Sequence, residues 1–437
     1  MENREQLCEQ ALIRILDSLY PDGDQQLSSF IVRMPGRAGT NFGLVASIFV
    51  RERQYIEALI FLRRNGARHL RDISISSLWS IVTSFVTEHY YYISNGHLML
   101  DSGVSLAQHT TPEGIAALSE ALLRSSLFSP INGVTLYPLV TVKVENGFQS
   151  RHFAFIESNG LAASLESFGT RHSSLIPTQF PPFAHFQHPG EPTGSWLCIS
   201  SPDSLIARKL ACATLGALAL TPIRRERYLQ TGRLVHGGYC TVANGAASYT
   251  AGTAPMTPRI SSDIILKQAD HAWLEILSTL FDREEHAQRS HVRALEYFHR
   301  AWFDESRERF PTLCMALDSL VGAQTGHTKA AVDFVVSMLG EPVDQDRLRM
   351  LLKLRGAVVH GAAPDVYESQ FYDAYYAQYL EDPICDLELV VARCLRQEIF
   401  QGKLQTHPDP HAEIIKRAQE SGRLPRNMRG RSIIADE

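Results

Sequence analysis

The sequence predicts an α+β N-terminal region followed by an all-α helical bundle. Three observations carry that expectation. Apolar residues recur at helical spacing through much of the first ~130 residues. A β-branched, largely alternating stretch then runs from Val134 to Val144. From Ser262 onward the apolar positions fall almost wholly at steps of three and four, in segments joined by short links. Antiparallel helices packed as a bundle give that pattern.

The elements follow in order. Glu5 to Leu19, Phe42 to Leu62 and Ser74 to Glu88 read as helical, the second interrupted by Arg51-Glu52-Arg53. Thr111-Pro112-Glu113 starts another helix, reaching about Ser126: Thr caps, Pro fits the first turn and Glu suits the positive end. Val134 to Val144 is a strand with Arg151 to Glu157 as its partner, and Trp196 to Ser200 is a further short strand. Ile176 to Pro192, rich in proline, reads as a loop. Ser201-Pro202-Asp203 opens an apolar helix to about Leu220, and a basic knot of Arg224, Arg225 and Arg227 follows, read as a solvated helix end. Gly237 to Thr257, dominated by small residues, reads as a connector. The expected segments are 1–130, mostly helical; 131–255, α+β; 262–402, the bundle; and 403–437, a basic tail.

Bulk properties exclude several classes. At 437 residues, 44 % hydrophobic and 20 % charged, the chain can bury a sizeable core. A net charge of -5 argues against a generic nucleic-acid coat. Thirty-five arginines against seven lysines suit a grip on phosphate, but GC-rich codon usage gives the same bias and is the favoured reading. Seven scattered cysteines without a CxxC fit a reducing compartment rather than a zinc module or disulfide scaffold. The sequence has no apolar run of about eighteen residues, so no membrane partner is expected and the location expected is cytoplasmic. No His and carboxylate spacing suggests a metal site, and no cofactor is expected.

Chemistry concentrates on the helix over Asp344 to Val359. Leu348, Leu352, Arg355 and Val359 share one face, which places a guanidinium in an apolar stripe. His360 lies ~140° further round an ideal helix, and Gly361 stops the helix after it. The imidazole therefore sits at the negative helix end, and Gly356 leaves room above it. Spacing alone does not single out this pair. Arg64 to His69 has the same spacing and Arg293 to His299 is one residue longer.

Order adds what spacing lacks. An amphipathic helix at His291–Trp302 precedes a Phe/Leu-rich one, Arg309-Phe310-Pro311-Thr312-Leu313-Cys314-Met315-Ala316-Leu317-Asp318-Ser319-Leu320. After a spacer helix comes Leu354-Arg355-Gly356-Ala357-Val358-Val359-His360-Gly361. This resembles the Apea-type branch of the HEPN superfamily over about a third of the chain. The resemblance implies an HEPN-like bundle and a metal-independent endoribonuclease that works as a homodimer, with two Arg/His motifs meeting across the interface. On this chain His360 would be the general acid/base, Arg355 would stabilise charge on the phosphate, and Asp318 would orient either of them. The substrate implied is RNA. Bacterial members serve in phage defence or as toxins, which implies an N-terminal sensor over residues 1–255 for a phage-derived trigger. The chain departs from active members at Gly356, where a polar residue often follows the Arg. Two other readings stand beside it. One is a non-catalytic HEPN module for dimerisation or nucleic-acid binding. The other is a winged-helix DNA-binding regulator, with a helix at Leu78–Glu88 and strands at Tyr90–Ile93 and His97–Leu100.

Overall fold

The computed structural model describes residues 4–33, 41–97, 99–161, 165–166, 168, 193–221, 233–243, 246–250, 253–260, 262–282, 286–322, 328–340, 343–407, 416–423 and 432–434. The protein is a mixed α/β chain with an N-terminal strand-containing region and a C-terminal helical region. It divides into two compact units, Met1–Asn132 and Gly133–Glu437. The expected loop at Ile176–Pro192 and the basic knot at Arg224–Arg227 lie outside the described residues.

The first unit contains helices α1 (Arg4–Asp17), α2 (Glu52–Asn65), α3 (Ile75–Glu88), α4 (Tyr90–Ser94), α5 (Leu106–His109) and α6 (Pro112–Arg124), with strands β1 (Leu19–Tyr20), β2 (Gln26–Arg33) and β3 (Asn41–Val50). The strands form an antiparallel sheet in the order β1-β3-β2. Local chemistry sets the helix starts. The Ser74 hydroxyl accepts from the Ser77 amide at 3.0 Å, and the Thr111 hydroxyl accepts from the Gly114 amide at 3.1 Å ahead of Pro112. Two expectations are corrected here. Phe42 to Leu62 is not one helix: it is a strand to Val50, then α2 from Glu52. Tyr90–Ile93 is not a strand but the short helix α4, closed by Asn95 in the left-handed region at φ 48°. The winged-helix reading therefore loses its wing.

In the second unit, strands β4 (Gly133–Leu139), β5 (Val142–Val144), β6 (Phe148–Gln149), β7 (Phe153–Glu157), β8 (Ser195–Ser201), β9 (Tyr239–Ala243), β10 (Ala246–Thr250) and β11 (Ile264–Leu266) precede most of the helices. Six of them form an antiparallel sheet in the order β10-β9-β4-β8-β7-β6. Two strand expectations change. Phe153–Glu157 pairs with β8, which lies between it and β4. The small residues of Gly237–Thr257 build the β9–β10 hairpin at the sheet edge rather than an open connector. β5 leaves the large sheet to pair in parallel with β11.

Helix α7 (Ser204–Ala219) covers the sheet. Asp203 caps it, its Oδ1 accepting from the amides of Leu205 and Ile206 at 2.8 and 3.3 Å. Further helices among the described residues are α8 (His271–Asp282), α9 (His286–Ala301), α10 (Ser306–Val321), α11 (Thr328–Leu339), α12 (Gln345–Val359), α13 (Gln370–Tyr379) and α14 (Pro383–Phe400). α7 packs on α9 with their backbones in contact. A Cβ on Gly216 would stand 2.0 Å from the Leu295 carbonyl oxygen, so only glycine fits there. One continuous core runs from Phe153, Phe155 and Leu197 in the sheet through Leu215 and Leu218 to Phe298, Leu313, Leu352 and Leu395. Residues 133–250 and the helical region therefore bury the same apolar surface.

His299 on α9 lies inside that core. Its Nε2 donates to the Met256 carbonyl at 2.9 Å, and burial pulls its pKa down to about 4. The folded state thus binds fewer protons here than the unfolded chain, so this group makes stability rise with pH between about 4 and 6.5. Going from pH 7 to pH 5 is expected to cost the wild type about 2 kcal/mol relative to His299→Gln, measured by urea unfolding of both proteins at each pH. Equal losses would show that His299 is not held neutral.

Candidate functional site

The residues expected to carry chemistry fall on α10 and α12. Asp344 caps α12, its Oδ1 accepting from the Asp346 and Arg347 amides at 3.1 and 3.0 Å. The apolar stripe then buries Leu348, Leu351, Leu352, Leu354 and Arg355. Val359, expected on that face, is instead 43 % exposed, because the helix has reached its end. Arg355 is only 5 % exposed. Its Nη2 meets Asp318 Oδ1 of α10 at 2.5 Å. A guanidinium in an apolar face needs such a partner, since burying an uncompensated charge costs several kcal/mol. Asp318 is a quarter exposed, so the pair sits at the margin of the core. The buried Nε of Arg355 has no hydrogen-bond partner among the described residues. Cys314, one turn before Asp318, is fully buried, and its thiol is pushed up by that burial.

His360 ends α12 as its C-cap residue at φ -93°, ψ 8°. The termination is a Schellman motif. The Ala362 amide donates to Ala357 O at 2.8 Å and the Gly361 amide to Val358 O at 3.2 Å, with Gly361 at φ 74°. The backbone thus stops for reasons independent of the imidazole. His360 is exposed, and its ring makes no hydrogen bond among the described residues. The structure brings Arg355 and Asp318 together. It leaves His360 on the rim of the same helix, with the dipole's negative end beside it.

Gly356 separates the two. A Cβ there would meet nothing within 4 Å, so the helix surface between Arg355 and His360 is open. Gly356→Ala is expected to stabilise the protein by about 0.5–1 kcal/mol through helix propensity alone, seen as a higher urea midpoint at unchanged slope. A lower midpoint would mean that the open step is needed for the fold.

The Arg/His decoys resolve differently. His69 is buried in a single 3-10 turn and His299 is a core residue. Arg293, by contrast, is exposed.

The sequence reading missed a second ion pair on α12. Arg347 and Asp386 of α14 are 2 % and 1 % exposed and form a salt bridge. Arg347 Nε donates to Asp386 Oδ2 at 2.8 Å, and the Tyr375 hydroxyl donates to the same oxygen at 2.5 Å. The Arg347 guanidinium also lies 4.8 Å from the centre of the Tyr379 ring. Burial pushes the Asp386 carboxyl upward, against the pull of Tyr375 and Arg347. The available signal was an acid one turn into an apolar helix, beside Leu387, Val390 and Val391. A third unpredicted group is Glu296 on α9, which burial raises to about 7 against Lys209 and Arg293.

Among the described residues no three His, Cys, Asp or Glu side chains gather as metal ligands, and no helix is long and apolar enough to cross a membrane. No protein-family model, no curated protein and no solved structure matches this chain.

Proposed function

We propose that this chain is a HEPN-type, metal-independent endoribonuclease effector of prokaryotic antiviral defence. One observation carries the reading: a carboxylate-held guanidinium and an exposed, unbonded imidazole stand at the last turn of one helix, across an open glycine step. In this reading His360 moves the proton of the ribose 2′-hydroxyl or the leaving oxygen. Arg355, kept in register by Asp318, meets the charge that grows on the phosphate. The exposed end of α12, with Val359 and His360, is where a second copy would bring its own pair, making a homodimeric groove. In this reading the sensor expected over residues 1–255 narrows to Met1–Asn132; what supports this is that residues 133–250 share the core of the helical region. Its trigger is a phage-derived molecule.

The test is cleavage of total RNA by purified full-length protein in EDTA, with and without lysate from phage-infected cells. Cleavage that survives chelation and rises with infected lysate supports the reading. RNA left intact under every condition overturns the nuclease. Cleavage that infected lysate does not change overturns the trigger.

A second reading is a non-catalytic module that binds RNA or a partner. The near-complete enclosure of Arg355 favours it. It is distinguished by RNA binding without cleavage that persists in His360→Ala.

A further inference from the structure

The seam between α7 and α9 carries a basic surface. Gly216 of α7 stands against Leu295 of α9, while Lys209 acts on Glu296 and Arg208 on His299. The two helices therefore run antiparallel. α7 contains no acid, and α9 contains one, Glu296. Among the described residues of α9 the exposed ones are Ala287, Arg289, Arg293 and Arg300. Arg300 is answered by Asp304 at 3.8 Å. Arg289 and Arg293 have no salt-bridge partner among the described residues. The same holds across the seam for Arg208, which is exposed beside the Cys212 thiol, and for Lys209, which is half-buried.

Four cations without counter-ions thus share one pair of packed helices. Arg289 and Arg293 are one turn apart, about 6 Å along the axis. Lys209 and Arg293 both lie close enough to act on Glu296. That acid neutralises them only in part. Burial raises it to about 7 even beside the two cations, so near neutral pH it carries a fraction of a charge. Three of the four are arginines, whose planar fork matches phosphate.

The surface is as telling for its lack of rings. Among the described residues neither helix exposes an aromatic side chain: Tyr297 packs against the core and Phe298 is buried. Unpaired bases are held by stacking on rings, whereas phosphates need only fixed cations. Cations without rings suit a backbone whose bases are turned inward. A duplex is also the denser polyanion, with about one charge per 1.7 Å of its axis.

We propose that the α7/α9 face docks base-paired RNA by its phosphate backbone, without reading its sequence. The choice of RNA rests on the nuclease reading. The surface itself does not, because α12 packs chiefly on α10, α11 and α13, and none of the four cations belongs to the Arg355 pair. Docking here gives the substrate a second point of attachment, away from the reacting groups.

The test is fluorescence anisotropy of a labelled RNA duplex of about 16 base pairs on full-length protein carrying His360→Ala, so that cleavage does not remove the probe. Added to it, Arg289→Gln/Arg293→Gln and Arg208→Gln/Lys209→Gln are each expected to weaken binding at least about tenfold. The log–log salt slope should become shallower by about one to two, as for lost phosphate contacts. Urea midpoints should not move, since these side chains hold no salt bridge in the fold. Arg53→Gln/Arg124→Gln, which removes two exposed charges from the first unit, should leave binding as it was. No duplex binding, binding unchanged in both double variants, or equal weakening by the control pair would overturn the proposal. Tighter binding of the single strand would overturn the duplex, and tighter binding of vesicles rich in anionic lipid would overturn RNA as the occupant. Duplex binding that depends on these four residues, with RNA left uncleaved by the wild type, would remove the nuclease and leave this surface standing.

Discussion

His360→Ala is expected to lower RNA cleavage by about a hundredfold to ten-thousandfold, the usual contribution of a positioned acid or base. The unfolding free energy should shift by no more than about 0.5 kcal/mol, as for surface substitutions away from structural features. The second half of the expectation follows from the geometry. The ring is exposed and makes no hydrogen bond among the described residues, while the helix end is closed by the Ala362 and Gly361 amides. Loss of activity in this variant therefore reads chemistry, whereas Arg355→Ala would mix chemistry with the cost of stranding Asp318. Arg355→Lys is the fitting companion, keeping the charge but losing the planar fork that phosphate needs. Single-turnover cleavage and a urea melt on the same preparations give both numbers. Full cleavage by His360→Ala would remove this residue from the mechanism.

Asp386→Ala is expected to cost about 3–5 kcal/mol, because it leaves the Arg347 charge buried without its carboxylate. The Tyr375 hydroxyl loses the same acceptor, adding an unsatisfied donor in the core. The double variant Arg347→Met/Asp386→Leu should recover most of that loss, since a buried ion pair and an apolar pair of similar volume are often close in stability. Urea unfolding of wild type, single and double variants closes the cycle. A double variant as unstable as the single would show that Tyr375 and Tyr379 depend on the pair for their places. This pair lies two turns back along α12 from Arg355 and is fully enclosed. It anchors the helix, whereas the pair at Arg355 lies at the margin of the core.

What the sequence revealed was mostly local. Helix starts at Thr111, Asp203 and Asp344 were legible because each side chain acts on amides two or three residues away, although only Thr111 was read as a cap. Strand β3 did not show, because its residues do not alternate and its support comes from remote partners on β1 and β2. Tyr90 to Ile93 has strand-forming side chains, yet the turn at Asn95 and the pocket that buries Tyr90 and Ile93 favour a helix. The β9–β10 hairpin is built of small residues whose composition matches a linker, and only pairing with β4 distinguishes the two. At the site, the apolar stripe indicated that Arg355 must be buried and paired. Asp318 was named from a pattern, with its partner left open between Arg355 and His360. Which of the two it faces depends on how α10 meets α12, and no single-helix periodicity encodes that.

The contact at Gly216 has a consequence for how such a chain is inherited. Helices from either side of residue 255 touch backbone to backbone there, and no side chain can be inserted at the seam. A recombination break near residue 255 would pass on half a core, exposing Leu215 and Leu218 on one product and Phe298 on the other. A break at residue 132 passes on a complete one. Exchange of the front end of this chain is therefore channelled to the joint at residue 132. Met1–Asn132 can be replaced as a unit, while residues 133–437 change only by substitution.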